Sequence, residues 1–257
     1  VNTQTQALTG RHALVTGGGR GIGAAIARAL ADAGASVTVA GRTQAPLDAV
    51  CRETGGRAVT LDVTDAGAVA ASLADLAAEA GPIDILVNNA GAAESAPFAR
   101  TGEDAWQRML AINLLAPRHC IAACLPAMIE RGWGRIVTIA STAGLKGYAY
   151  TSAYTAAKHA VIGLTRALAL ETARKGVTVN AVCPGFADTD IVEESLRRIE
   201  EKTGRDRSAA LAELTKFNPQ GRLIDPAEVA AMVLHLAGDA ARSITGKAIA
   251  IDGGETG

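Results

Sequence analysis

Short β-branched runs alternate with long alanine-rich stretches along this chain, and that alternation restricts the fold more than any other feature. The runs fall at residues 12–16, 36–41, 57–61, 83–88, 134–140, 177–183 and 247–252. Each has the length of a strand, and the stretches between them carry apolar residues at helical spacing. Between the first two runs, Ile22, Ile26, Ala29 and Leu30 share a helix face, and Gly34 closes the helix before Ser36. Strand, helix and strand in that order make a βαβ unit. Its repetition predicts a seven-stranded, mostly parallel sheet covered by helices on both faces, a Rossmann-like doubly wound α/β fold. A chain of 257 residues can build this around one continuous core, and no linker divides it.

One stretch breaks the rhythm. From Pro184 to Ile224 the sequence opens with Pro-Gly and then carries Glu193, Glu194, Arg197, Arg198, Glu200, Glu201 and Lys202. It reads as a helical insertion at about 185–224, following the sixth strand and so lying at the carboxyl edge of the sheet, where open α/β folds bind ligands. Its charged faces suit solvent, and Phe186, Ile191, Val192 and Phe217 are the residues expected to face a ligand.

Charge and composition narrow the partners. Lys and Arg number 25 against 26 Asp and Glu, and aromatic residues make up 3%, too little basic or stacking surface for nucleic acid. No run approaches the ~18 uninterrupted apolar residues of a spanning helix, and the first residues lack an apolar signal core, so a cytoplasmic protein without a membrane partner is expected. Cys51, Cys120, Cys124 and Cys183 show no CxxC spacing and sit among apolar residues, as reduced core thiols do. Cys120 and Cys124 share a helix face, but no ligand set completes a metal site there, and no metal is expected.

Thr16-Gly17-Gly18-Gly19-Arg20-Gly21-Ile22-Gly23 joins the first strand to the first helix. Glycines at such a turn let the backbone approach a pyrophosphate seated over the helix N-terminus, where N–H groups and the helix dipole favour an anion. A glycine cluster alone signals only tight backbone geometry; its place inside a βαβ unit of ~30 residues makes it a dinucleotide signature. No Gly-Lys-Ser/Thr follows, which excludes a P-loop. An acidic residue at the end of the second strand would hold the ribose 2′-hydroxyl of NAD, but Gly41-Arg42-Thr43 stands there instead. Arg42, joined by Arg20 from the turn, can bind a 2′-phosphate, so NADP(H) is favoured over NAD(H). Asp62, followed by Val63 at the end of the third strand, can accept from the adenine amino group.

Tyr154-Thr155-Ala156-Ala157-Lys158 places a phenol and an ammonium on one helix face, and the cation is expected to lower the phenol pKa from its ordinary value of ~10. Such a tyrosine exchanges protons near neutrality. Ser141, ending the fifth strand, can polarise a carbonyl. Singly these are ordinary residues, because Tyr-Lys pairs occur on surface helices and serines cap helices.

Together, Gly17-x-x-x-Gly21-x-Gly23, Asn88-Asn89-Ala90-Gly91, Asn113, Ser141, Tyr154-x-x-x-Lys158 and Pro184-Gly185 resemble the short-chain dehydrogenase/reductase family over nearly the whole chain. The resemblance implies one dinucleotide-binding catalytic domain over 1–257. It also implies Tyr154 as general acid/base, Ser141 holding the substrate oxygen, Lys158 on the nicotinamide ribose, and Asn113 supporting a proton-relay water. Asn88 and Asn89 are expected to tie strands together, with Ala90 and Gly91 beside the adenosine ribose. Pro184, Gly185, Phe186 and Thr189 are expected to meet the carboxamide. The family further implies a homotetramer built through helices at about 103–130 and 152–174 and the last strand.

Among subfamilies the pattern is closest to 3-oxoacyl reductases and polyketide ketoreductases, which implies reduction of a small-molecule ketone such as a 3-oxoacyl thioester. The insertion also resembles that of 3-hydroxybutyrate dehydrogenases. Those enzymes clamp a carboxylate with His and Lys, where this chain has Ala143 and Thr151, leaving Lys146 as a nearby cation. A non-catalytic NADP-binding sensor or assembly partner is the alternative of another class, since a fold does not establish a function; nothing in such a protein requires Tyr, Lys, Ser and Asn together.

Overall fold

The computed structural model describes residues 7–257 apart from 190, 191, 194, 195, 198, 199, 202, 203 and 205. Seven strands form one sheet in the order β3-β2-β1-β4-β5-β6-β7. They are β1 (His12–Thr16), β2 (Ser36–Gly41), β3 (Arg57–Thr60), β4 (Ile85–Asn88), β5 (Gly134–Ile139), β6 (Val177–Pro184) and β7 (Ala248–Ile251). All six pairings are parallel, where the sequence supported only a mostly parallel sheet. Boundaries move by one or two residues. Ile83 and Asp84 lead into β4 outside the regular ladder, and Asp84 Oδ2 accepts from the His12 amide at 3.0 Å.

Period-two alternation sorts the strands between two apolar layers. Ala13, Val15, Ile85 and Val87 face one cluster, with Ile26 and Leu30 of α1 (Gly21–Asp32), Leu47 and Val50 of α2 (Gln44–Thr54), and Val229 and Val233 of α8 (Pro226–Ala237). Leu14, Leu86 and Ile136 face the other. There they meet Val69 and Leu73 of α3 (Ala66–Ala80), Cys120, Cys124 and Met128 of α5 (Ala116–Glu130), and Leu168 of α6 (Ser152–Thr172). Burial pushes the Cys120 thiol up to about 12 and Cys124 higher still, which keeps both as inert core thiols.

Residues 103–130 run as one helical rod: α4 (Glu103–Leu110), a π-helical turn (Ala111–Leu115) and α5. By length and composition alone this rod could cross a membrane; Arg118 interrupts the apolar run in the sequence. In the fold the buried face of α5 lies on the sheet, and α4 packs against α6.

The segment after β6 closes on itself. Ile224 N–H donates to the Phe186 carbonyl at 2.8 Å and Asp188 N–H to the Ile224 carbonyl at 2.9 Å, which pins its base. Val192, Leu196 and Ala210 of α7 (Arg207–Thr215) form a small core separate from both sheet layers. Val192 is therefore a packing residue rather than a ligand-facing one. Phe186 and Phe217 are exposed, whereas Ile191, Glu194, Arg198 and Lys202 lie outside the described residues.

Candidate active site

The strand order reverses between β1 and β4, which opens a crevice at their carboxyl ends. The glycine turn lies on one side of it. Gly17 adopts φ +63°, and a Cβ on Gly23 would lie 2.2 Å from the Gly17 carbonyl oxygen, so the first turn of α1 packs directly against backbone. The Asn89 amide crosses the crevice, donating to the Thr16 and Gly17 carbonyls at 3.0 and 3.1 Å. That is the tie expected of an asparagine here. The Asn89 and Ala90 backbone N–H groups both donate to Thr16 Oγ1, which leaves Ala90 its carbonyl and methyl for a ligand. Asn88 behaves differently, because neither polar atom of its buried side chain has a partner.

The remaining cofactor candidates surround the same crevice. Gly19 packs against Pro46 and Leu47, and Gly21 against the Thr189 methyl, which brings the segment after β6 over the turn. Thr189 Oγ1 donates to the Ala187 carbonyl at 3.3 Å. Ile22 is partly buried, while Arg20 and Arg42 are exposed at the rim. Asp62 Oδ1 accepts from the Thr64 hydroxyl and N–H at 2.7 and 2.9 Å; those bonds, and then the nearby Arg42 charge, hold its carboxyl below the ordinary range. Val63 beside it is buried. A glycine cradle at a helix N-terminus, with two guanidinium groups at its rim, fits the phosphates of a nicotinamide dinucleotide.

Four further residues converge beyond this cradle. Ser141 caps a short 3₁₀ turn, its Oγ accepting from the Ala143 N–H at 3.1 Å and keeping its own proton free to donate. The Ser141 hydroxyl lies close enough to the Tyr154 phenol to favour its ionised form. Lys158 is buried, its Nζ donating to the Ile139 carbonyl at 3.0 Å and lying 5.7 Å from the Tyr154 ring centroid. Burial depresses the ammonium to about 8. Burial raises the Tyr154 phenol above its ordinary value, and the Ser141 hydroxyl opposes the rise. This corrects the expectation that Lys158 lowers the phenol, since desolvation dominates both groups and the ammonium points to a backbone carbonyl.

Asn113 lies in the π-helical turn, a common functional irregularity that offsets its side chain from the flanking helices. Its Nδ2 donates to the Ala92 and Met109 carbonyls at 2.9 and 3.1 Å, while the buried Oδ1 has no protein partner. A Cβ on Gly91 would fall 3.0 Å from that oxygen and 3.6 Å from Lys158 Nζ, which places Gly91 between them. Pro184 and Gly185 turn beside the same region, with Gly185 N–H donating to the Ile251 carbonyl at 3.0 Å. Lys146, the nearby cation expected from the sequence, stands here in a cluster with Tyr148 and Glu255, neither of which the sequence marks. Glu255 stands in a short polar tail with no periodicity or motif to mark it.

A dinucleotide cradle at the switch point, beside a serine, a phenol and a buried ammonium, defines an α/β oxidoreductase of the nicotinamide-dependent class. Comparison with known proteins agrees. Residues 11–200 match the model of the short chain dehydrogenase family. The chain is 38% identical to D-beta-hydroxybutyrate dehydrogenase of Rhizobium meliloti, over 96% of this chain and 98% of that protein. It is 42% identical to acetoacetyl-CoA reductase of Shinella zoogloeoides, over 95% and 98%. A single-substitution variant of actinorhodin polyketide ketoreductase, solved with NADPH, superposes with a TM-score of 0.91 at 38% identity, over 96% and 97%. The protein belongs to the short-chain dehydrogenase family and is an NAD(P)-dependent oxidoreductase.

Proposed function

We propose that this enzyme reduces the ketone of a 3-oxoacyl thioester or similar uncharged 3-oxo compound to a secondary alcohol, with NADPH favoured over NADH. The convergence of Ser141, Tyr154, Lys158 and Asn113 beside the glycine cradle carries the chemical part of this reading. Ala143 and Thr151 carry the substrate part. Ala143 is buried and uncharged, and the Thr151 hydroxyl donates to the Tyr148 carbonyl and sits 3.0 Å from Thr155 Oγ1, so neither offers a cation to a free carboxylate. The named reductase relatives support the same class. The hydroxybutyrate dehydrogenase relative supports a second reading, oxidation of a 3-hydroxy acid with NAD.

Bound in the crevice, the nicotinamide dinucleotide supplies the hydride. Ser141 donates a hydrogen bond to the substrate oxygen, and Tyr154 delivers a proton to that oxygen as negative charge grows on it. Lys158 holds the ribose and lends positive charge to the phenolate left behind. The unpartnered Asn113 Oδ1 accepts from a water that returns the proton. Gly17, Gly19, Gly21, Ile22 and Gly23 hold the pyrophosphate, Arg20 and Arg42 the 2′-phosphate, Asp62 and Val63 the adenine, Ala90 and Gly91 the adenosine ribose, and Pro184, Gly185, Phe186 and Thr189 the carboxamide. The reading includes a single catalytic domain, a cytoplasmic setting that fits the free thiols, and a homotetramer, for which exposed Leu115 and Leu170 on the candidate interface helices speak.

Tyr154→Phe tests the mechanism. Turnover of acetoacetyl thioester should fall by about 10²–10⁴-fold with NADPH affinity nearly intact; unchanged turnover would remove Tyr154 from the chemistry, whereas a wild type that binds NADPH without turnover would leave the cofactor-sensor reading standing.

A further inference from the structure

Two loops frame the reacting groups, the turn starting at Ser141 and the corner at Pro184–Gly185, and the C-terminal segment inserts Glu255 between them. The Glu255 side chain is 1% exposed. Its Oε1 lies 3.1 Å from Lys146 Nζ and accepts from the Tyr148 hydroxyl, while Lys146 Nζ also donates to the Glu255 carbonyl at 3.2 Å. The Tyr148 oxygen is 2.7 Å from Thr142 Oγ1. A phenol has one proton and a carboxylate only accepts, so Tyr148 donates to Glu255 and Thr142 to Tyr148, a chain ending one residue from Ser141. A Cβ on Gly185 would lie 3.3 Å from the other carboxylate oxygen. Phe217 closes the cluster, edge-on to Tyr148 at 6.2 Å, and Lys146 Nζ stands 5.1 and 5.4 Å from the two ring centroids.

Lys146, about one-third exposed, is thus held between a buried carboxylate and two aromatic rings, and its charge is paired where it stands. We propose that Glu255 is a specificity-determining residue: by holding Lys146, it withholds that cation from a free carboxylate at the mouth of the site and so selects uncharged 3-oxo esters and thioesters over 3-oxo acids. The proposal rests on the 3-oxo reductase reading and adds to it the group that sets substrate charge. Glu255 packs beside Gly185, and its effect on substrate charge acts through Lys146.

Glu255→Gln keeps the shape and an acceptor while removing the negative charge. With NADPH, the ratio of kcat/KM for acetoacetate to that for ethyl acetoacetate should rise about tenfold or more, the size of one charge-assisted hydrogen bond. Adding Lys146→Gln should return the ratio to within about twofold of wild type. A merely structural role would lower both activities together with the ratio unmoved, which would overturn the proposal. If Glu255→Gln fails to fold, the double variant decides alone, because a tenfold fall in its ratio would show Lys146 already serving carboxylates in the wild type. Calorimetric titration of acetoacetate into the NADP+-loaded enzyme separates the two levels of inference. Should the wild type reduce neither compound nor acetoacetyl thioester, the reductase reading fails; tighter acetoacetate binding by Glu255→Gln would still support the charge assignment, and unchanged binding would overturn it.

Discussion

The turn after β1 and the segment after β6 meet at the same edge of the sheet but are held by opposite means. A Cβ on Gly18 would lie 2.6 Å from Val39 Cγ1, and one on Gly23 would lie 2.2 Å from a carbonyl oxygen; on Gly204 or Gly221 it would meet nothing within 4 Å. The first region is fixed by close backbone packing and by Asn89 bonded across the crevice. The second is fixed by two backbone hydrogen bonds at its base and a small core of its own. The geometry of the first matches a ligand part that never changes, a pyrophosphate. Away from Thr189, Phe217 and Asn218, which pack on Gly21, Tyr148 and Gly253, the second can vary in length and side chains without disturbing the sheet, which suits the part of a reductase that recognises substrate.

The sharpest way to break the contrast is to fill the crowded side. Gly23→Ala should destabilise the fold by about 3 kcal/mol or more, because the new methyl meets the Gly17 carbonyl on one side and, on the other, the Asn89 amide, which cannot swing away without giving up its two hydrogen bonds across the crevice. Thermal melts should also lose their upward shift with NADPH. A variant that still melts at a higher temperature with cofactor would show the turn to be more yielding than its contacts suggest. The next effect comes from charge. Lys158 has a pKa near 8 in the fold against 10.5 ordinarily, so the unfolded chain binds the extra proton between those values and stability should rise with pH across that window. The gain should be about 3 kcal/mol in cofactor-free protein and absent in Lys158→Met. Tyr154 acts oppositely but higher, since its raised pKa favours the fold only below the range where the free phenol ionises and is lost above it. Denaturant unfolding at about pH 7.5 and about pH 10, either side of most of that window, checks the sign.

The rigid region was the legible one. Strands, the βαβ unit and the glycine turn are written in local patterns of two and 3.6 residues, and the positions of Ser141, Tyr154 and Lys158 followed from them. The direction of the Tyr154 shift did not, because desolvation depends on how α6 packs against β5 and β6, which a spacing of four residues does not report. The π-helical turn around Asn113 escaped for a similar reason: Ala111-Ile112-Asn113-Leu114-Leu115 reads as ordinary helix, and only tertiary contact gives it the wider pitch. Glu255 and Lys146 were unreadable as a pair, since 109 residues separate them and neither carries a pattern.

The rim arginines belong to the cradle side, Arg20 in the turn itself and Arg42 just after β2, and they offer a cofactor test. Arg42 is exposed and shares its neighbourhood with Asp62, so its charge rather than its packing is what a ligand would sense. Arg42→Asp should weaken NADPH about thirtyfold, roughly 2 kcal/mol, and leave NADH within a few-fold, read by fluorescence titration of both cofactors. Equal weakening would mean that the arginine supports the loop and reads no phosphate.

On the open side, Gly221 isolates backbone conformation from contact. Its φ is +66° with no atom near the missing Cβ, so Gly221→Ala should cost only the left-handed penalty of about 1 kcal/mol. Gly23→Ala adds a collision to its conformational effect; Gly221→Ala has none to add. Because the segment has its own core, that cost should fall on local opening, visible as faster amide exchange in 207–215, with global unfolding and NADPH affinity nearly unchanged. A loss of cofactor affinity in Gly221→Ala would couple the two regions and collapse the distinction between a fixed cradle and an independent substrate segment.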